Sequence, residues 1–169
     1  MTPQFILSIV LALALVALVG AWSKGFLRGG LVSFGNVAEG THAGNITKKS
    51  DAAIATRFLL VKKGSDVNHI AVAGGADIPL GICTDEAAAA EDLVNVNLLG
   101  SIRDTQLAVA AAAITSGAFV VCDATATGKV RTLPGSAGTY YIVGRALTDA
   151  GADGDLVEID PIPCVQRVV

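Results

Sequence analysis

The chain repeats itself. Phe58-Leu59-Leu60-Val61 has a counterpart in Phe119-Val120-Val121-Cys122. Pro79-Leu80-Gly81-Ile82-Cys83-Thr84-Asp85 has one in Ile142-Val143-Gly144-Arg145-Ala146-Leu147-Thr148-Asp149, with one residue inserted. Alanine-rich segments follow in both places, and Leu93-Val94-Asn95-Val96-Asn97-Leu98 then matches Leu156-Val157-Glu158-Ile159-Asp160-Pro161. The two series keep the same order roughly sixty residues apart, as one supersecondary unit used twice would. One unit alone leaves a sheet face bare, so the two are expected to pack into a single sandwich or barrel. The expected fold class is therefore mainly β, a compact β-sandwich or barrel built from two similar strand units. Gly81 and Gly144 stand at the same place in the two units and are read as repeat-equivalent structural glycines.

Short apolar runs bounded by Gly, Asp, Asn and Pro predict strands at 57–61, 69–72, 80–84, 93–99, 119–122, 129–132, 140–147 and 156–159. The runs from Leu93 and from Leu156 alternate apolar and polar residues, as half-buried antiparallel strands do. Residues 108–114, rich in alanine, predict the one short helix of the domain, ending near Ser116-Gly117. Thr125-Ala126-Thr127-Gly128-Lys129 reads as a hairpin turn, with Gly128 supplying a positive φ.

Residues 5–22 are uncharged throughout. As a helix they reach roughly 27 Å, close to the thickness of a bilayer core. Leu and Ala dominate, and Pro3 suits a first helical turn. A helix apolar on every face must be surrounded by lipid or by protein, or be removed. Val19-Gly20-Ala21 suits signal cleavage, yet no Lys or Arg precedes the stretch. Lys24 and Arg28 follow it, the charge order of a membrane anchor. The third fate, adopted here, is a helix buried between subunits, with Phe5, Leu7, Leu11, Leu15, Leu18 and Trp22 as assembly candidates. Glycines at 25, 29, 30, 35, 40 and 44 then mark an extended arm. The expected organisation is a hydrophobic helix over 1–22, a glycine-rich arm over 23–44 and a β-rich domain over 45–169.

Twelve Lys and Arg against fifteen acidic residues leave no excess to neutralise phosphates, which argues against nucleic-acid binding. Aromatic residues, at 5%, are too scarce for base-stacking platforms. A mean hydropathy of +0.60 excludes a disordered chain. With charged residues at only 16%, the composition suits packing against copies of the same chain. Cys83, Cys122 and Cys164 form no close pair, so neither a metal site nor a disulfide framework is expected, and all three read as buried free thiols. His42 and His69 lack an evident partner and read as surface or strand-edge residues. Asp153-Gly154-Asp155 lacks the frame and closing Glu of a calcium loop and reads as a tight hairpin. Phosphate-binding loops and nucleophile elbows are absent from the sequence. No catalytic residue, cofactor or metal ligand is assigned.

The stretches Gly44-Asn45-Ile46-Thr47-Lys48-Lys49, Phe58-Leu59-Leu60-Val61-Lys62-Lys63-Gly64-Ser65-Asp66, Ile78-Pro79-Leu80-Gly81-Ile82-Cys83-Thr84-Asp85-Glu86-Ala87, Ala112-Ala113-Ile114-Thr115-Ser116-Gly117-Ala118 and Val143-Gly144-Arg145-Ala146-Leu147 resemble the small capsid cement, or decoration, proteins of tailed bacteriophages. Gly128-Lys129-Val130 and the closing Gly154-Asp155-Leu156-Val157-Glu158-Ile159 add to the likeness, which covers residues 44–169. The resemblance implies a β-rich structural protein on the capsid surface of a virion, without catalysis or cofactor. It implies identical subunits in a homotrimer or larger assembly, and a major capsid protein as a partner. The leading hydrophobic segment departs from that pattern. It keeps open a membrane-anchored or secreted subunit of an extracellular filament or shell, with a membrane as partner through residues 5–22.

Overall fold

The computed structural model describes residues 44–125 and 127–169. The helix expected over 1–22, with Phe5, Leu7, Leu11, Leu15, Leu18 and Trp22, and the arm expected over 23–44, Gly44 excepted, lie outside the described residues. The described chain is all strand and turn. Its first five strands are β1 (Asn45–Ser50), β2 (Leu60–Lys63), β3 (His69–Val72), β4 (Gly81–Cys83) and β5 (Leu93–Leu98). They close into a barrel in the order β1-β3-β2-β4-β5. The next five are β6 (Gln106–Val109), β7 (Phe119–Cys122), β8 (Val130–Thr132), β9 (Thr139–Ala146) and β10 (Leu156–Val168), in one sheet ordered β6-β10-β9-β7-β8. The mainly β architecture of two similar strand units thus stands. Closure, however, occurs within the first unit and not between the two.

The second sheet has the strand order of the first, with its seam nearly open. In the barrel, β1 meets β3 in parallel through Lys49 with His69 and Ser50 with Ile70. In the second unit only a single parallel bridge, Ala110 with Val130, spans the corresponding place. Individual bonds repeat as well. Ser50 N donates to Asp92 O, and Ala110 N donates to Asp155 O. Ile54 bridges Ala87, and Ile114 bridges Ala150. Glu91 and Gly154, each just before an aspartate, both carry positive φ, 71° and 92°.

Residues 108–114 do not form a helix. Gln106–Val109 is a strand antiparallel to β10, and Ala110 and Ile114 each make a bridge. Helix propensity is a weak preference even for alanine, its best former, and packing overrides it here: Ala108 and Ala110 are fully buried. The expected register of the first strands also moves by two residues. Phe58 N donates to Cys83 O just as Gly117 N donates to Ala146 O, so Phe58 corresponds to Gly117 and not to Phe119. The match of Phe58-Leu59-Leu60-Val61 to Phe119-Val120-Val121-Cys122 reflected similar composition two residues out of register. Two strands had no counterpart in the expected set. The polar β1 buries Ile46 and Ser50, and β6 runs into the start of the segment expected as helix. β10 also continues past Pro161 and Pro163, which cannot donate to a neighbouring strand, just where β6 ends.

Core positions repeat too. Ile54, Val61, Ile70, Cys83, Ala87, Val94 and Val96 fill the barrel. Ile114, Val120, Val130, Ala146, Ala150, Val157 and Ile159 fill the second unit at the corresponding places. The second core takes three more residues from the barrel: Leu60, Ala73 and Ile82. They fill the space beside the open seam. Val109 N donates to Phe58 O (3.2 Å), Leu60 N to Gly128 O (2.7 Å) and Gly128 N to Ala73 O (2.9 Å), so the start of β2 wedges between β6 and the β7–β8 turn. Burying three such side chains favours the joint by several kcal/mol at roughly 25 cal/mol per Å².

Candidate assembly surface

Gly81 lies between Val61 on β2 and Leu98 on β5, while Gly144 lies between Val120 on β7 and Pro161 on β10. A Cβ at Gly81 would run into Asn97 O, and one at Gly144 would come within 2.7 Å of Asp160 O. Both glycines let a central strand approach its neighbour more closely than any side chain permits. They support the scaffold and present no chemistry of their own.

His69 is not a lone strand-edge residue. Its Nδ1 lies 2.7 Å from Asp66 Oδ1 and its Nε2 lies 2.9 Å from Glu91 Oε1. Lys49 Nζ donates to Glu91 Oε2 at 2.8 Å, linking β1, the β2–β3 turn, β3 and the loop before β5. Hydrogen bonds donated to Asp66, then to Glu91, raise the His69 pKa above its ordinary value. The bond to His69 lowers Asp66, and those to Lys49 and His69 lower Glu91. Sequence reading missed this cluster because Glu91 and Lys49 reach it only once the barrel closes, although Asp66, three residues before His69 in the β2–β3 turn, was a local signal.

Cys83 and Cys122 are buried free thiols, whereas Cys164 is only half-buried. Desolvation raises all three, Cys122 to about 12 with help from the Asp123 charge. Asp155 Oδ2 accepts from Gly151 N and Ala152 N at 2.9 Å each, so the Asp153-Gly154-Asp155 segment is a turn that caps itself. Gly128 does adopt positive φ, 68°.

The surface offers three features for contact with another macromolecule. Beside the closed seam, Ile46, Lys48, Lys63, Val67, His69 and Leu80 line an open hollow of about 260 Å³. On the outer side of the second sheet, Phe119 is 45% exposed next to its cross-strand partner Arg145. Finally, Thr139–Tyr141 and the end of β10 extend past β7 as a two-stranded ribbon, closed by mutual bonds between Gly138 and Val169. Val168 is 74% exposed there. A two-stranded ribbon is marginal in water by itself, so a partner's surface would stabilise it.

Comparison with known proteins agrees with this architecture. The chain is similar in structure to the N base of the head fiber gp8.5 of bacteriophage phi29, with a TM-score of 0.52 at 20% identity. The alignment covers 71% of this chain and 94% of that one, which establishes a shared fold. No curated protein matches the chain. The family model described as phage cement protein matches residues 37–161, a span that takes in β1 to β9 and β10 as far as Pro161. On that match, the chain belongs to the phage cement protein family.

Proposed function

We propose that this protein is a structural component of a phage virion that binds the outside of the capsid shell and reinforces it through contacts with the lattice and with identical subunits. The observation that carries the reading is the family match over both strand units. The surface suits the role: Val67, Ile78, Phe119 and Val168 are exposed apolar side chains on a protein with few charges. Stable interfaces bury about 1,200–2,000 Å² in total, an area that several such patches supply together. The major capsid protein is the expected shell partner, and trimers are the expected form. The apolar residues 5–22 act in this reading as an assembly helix, reached through the glycine-rich arm.

Incubating the full chain with expanded shells that lack it provides the test. Expected are co-sedimentation to a saturating ratio and a higher temperature of shell disruption. Shells that neither bind the protein nor gain stability would overturn the reading. The double variant Leu11→Asp, Leu15→Asp should lose assembly while keeping the β-rich circular dichroism spectrum. Unchanged assembly would remove the N-terminal helix from the proposal.

A further inference from the structure

Inside the chain, the first unit joins the second by inserting Leu60, Ala73 and Ile82 into a core that Ala108, Cys122 and Val143 help to line. The strand registers place each of these residues opposite a counterpart in the other unit. Leu60, paired with Ile82, corresponds to Phe119, paired with Arg145. Lys48, paired with Val94, corresponds to Ala108, paired with Val157. Lys63, paired with Ile70, corresponds to Cys122, paired with Val130. Leu80 and Val143 each precede the matching glycine. The second unit therefore presents again the face that the first unit inserts, and the first unit presents again the place that receives it. Both stand at the surface. Phe119 is 45% exposed, and Lys48, Lys63 and Leu80 line the hollow together with Ile46, Val67 and His69.

We propose that Phe119 of one copy seats in this hollow of a second copy, so that the joint between the two units is continued head to tail between chains. This inference rests on the self-association reading above and names its surface and its partner. Continuity with the joint already present in the chain selects a second copy as the occupant. The seam differs in one respect. Lys49 N donates to Asn68 O and closes the barrel, so the contact is made by side chains and not by strand insertion. A self-complementary knob and hollow on opposite units make a heterologous contact, which closes into a ring or extends as a filament according to the rotation per step.

The test measures the mass of the full chain in solution by light scattering over a concentration series. Wild type and Phe119→Leu should associate, and Phe119→Asp and Val67→Asp should weaken association by about 30-fold or more while keeping the wild-type circular dichroism spectrum. In a Cys164→Ser background, a Val67→Cys chain mixed with a Phe119→Cys chain of different mass should form the mixed disulfide under oxidation. If the wild type associates and Phe119→Asp does so equally well, the proposed seat is wrong and the self-association reading survives. A wild type that stays monomeric throughout overturns both. Disulfides formed by Phe119→Cys with itself alone would mean a two-fold contact and overturn the head-to-tail joint. So would a Phe119→Asp variant that still associates but no longer binds shells, which would make the shell protein the occupant.

Discussion

Phe58 and Gly117 occupy the same place in the two strand units, and both hold the left-handed backbone, at φ 65° and 87°. Each donates its N–H to the carbonyl of the residue two beyond the unit's structural glycine, Cys83 or Ala146. A phenylalanine endures this conformation because its side chain packs against both hydrophobic cores at once. Gly117 has no such anchor, and a Cβ there would meet only the tip of Arg145.

Gly117→Ala should accordingly lower stability by about 1 kcal/mol through backbone strain alone, since space is not limiting. Phe58→Ala should cost about 3–5 kcal/mol, because the strain remains and the anchoring contacts go. Urea unfolding of both variants would check this. Equal losses would show that the Phe58 side chain does not hold the turn.

The strand glycines Gly81 and Gly144 differ from Gly135. Gly81→Ala drives a methyl into Asn97 O, and Gly144→Ala brings one within 2.7 Å of Asp160 O, so each should lose about 1–3 kcal/mol, Gly81 the more. Gly135→Ala meets nothing within 4 Å and should change stability by less than about 0.5 kcal/mol. Denaturant midpoints for the three variants give the ranking. A neutral Gly81→Ala would mean that β4 and β5 can move apart freely.

Leu60 is fully buried in the core of the second unit although it belongs to β2. Leu60→Ala should cost about 2–5 kcal/mol, and the two units should still melt in one transition at a lower temperature. Calorimetry resolving two separate transitions in the wild type would show that the wedge does not couple the units.

The cluster around His69 predicts a sign for the pH dependence. The His69 pKa is raised, so its stabilising effect is complete below the ordinary histidine value near 6.5 and fades as pH rises through the raised value. Asp66 and Glu91 are lowered, so their contributions hold above the ordinary carboxylate range near 4 and fade as pH falls through the lowered values. The cluster should be tightest between about pH 4.5 and 6.5. Thermal midpoints of wild type and His69→Asn should differ most in that window and converge above it. Because Asp66 and Glu91 are exposed, the difference should be small and shrink with salt. A gap that widens with rising pH would contradict the assignment.

The strand units were legible in the sequence because their physical cause is local. Alternation along 93–98, the buried run at 120–122 and the turn glycine at 128 each depend on a few adjacent residues and on which face of a sheet they meet. The repeat itself could be read the same way. Other features depend on residues far apart in the chain, and only the tertiary structure decided them. Ala108 joined a strand because the space beside it was already filled from the barrel. Phe58 shifted its register by two because hydrogen bonding to Cys83, and not the likeness of its side chain to Phe119, determines its place. One seam closed while its copy stayed open, because Lys49 reaches Asn68 in the first unit whereas Val109 reaches Phe58 from the second. Side-chain type specifies which residues seek burial, but which partner buries them is a competition between distant segments that only the folded chain resolves.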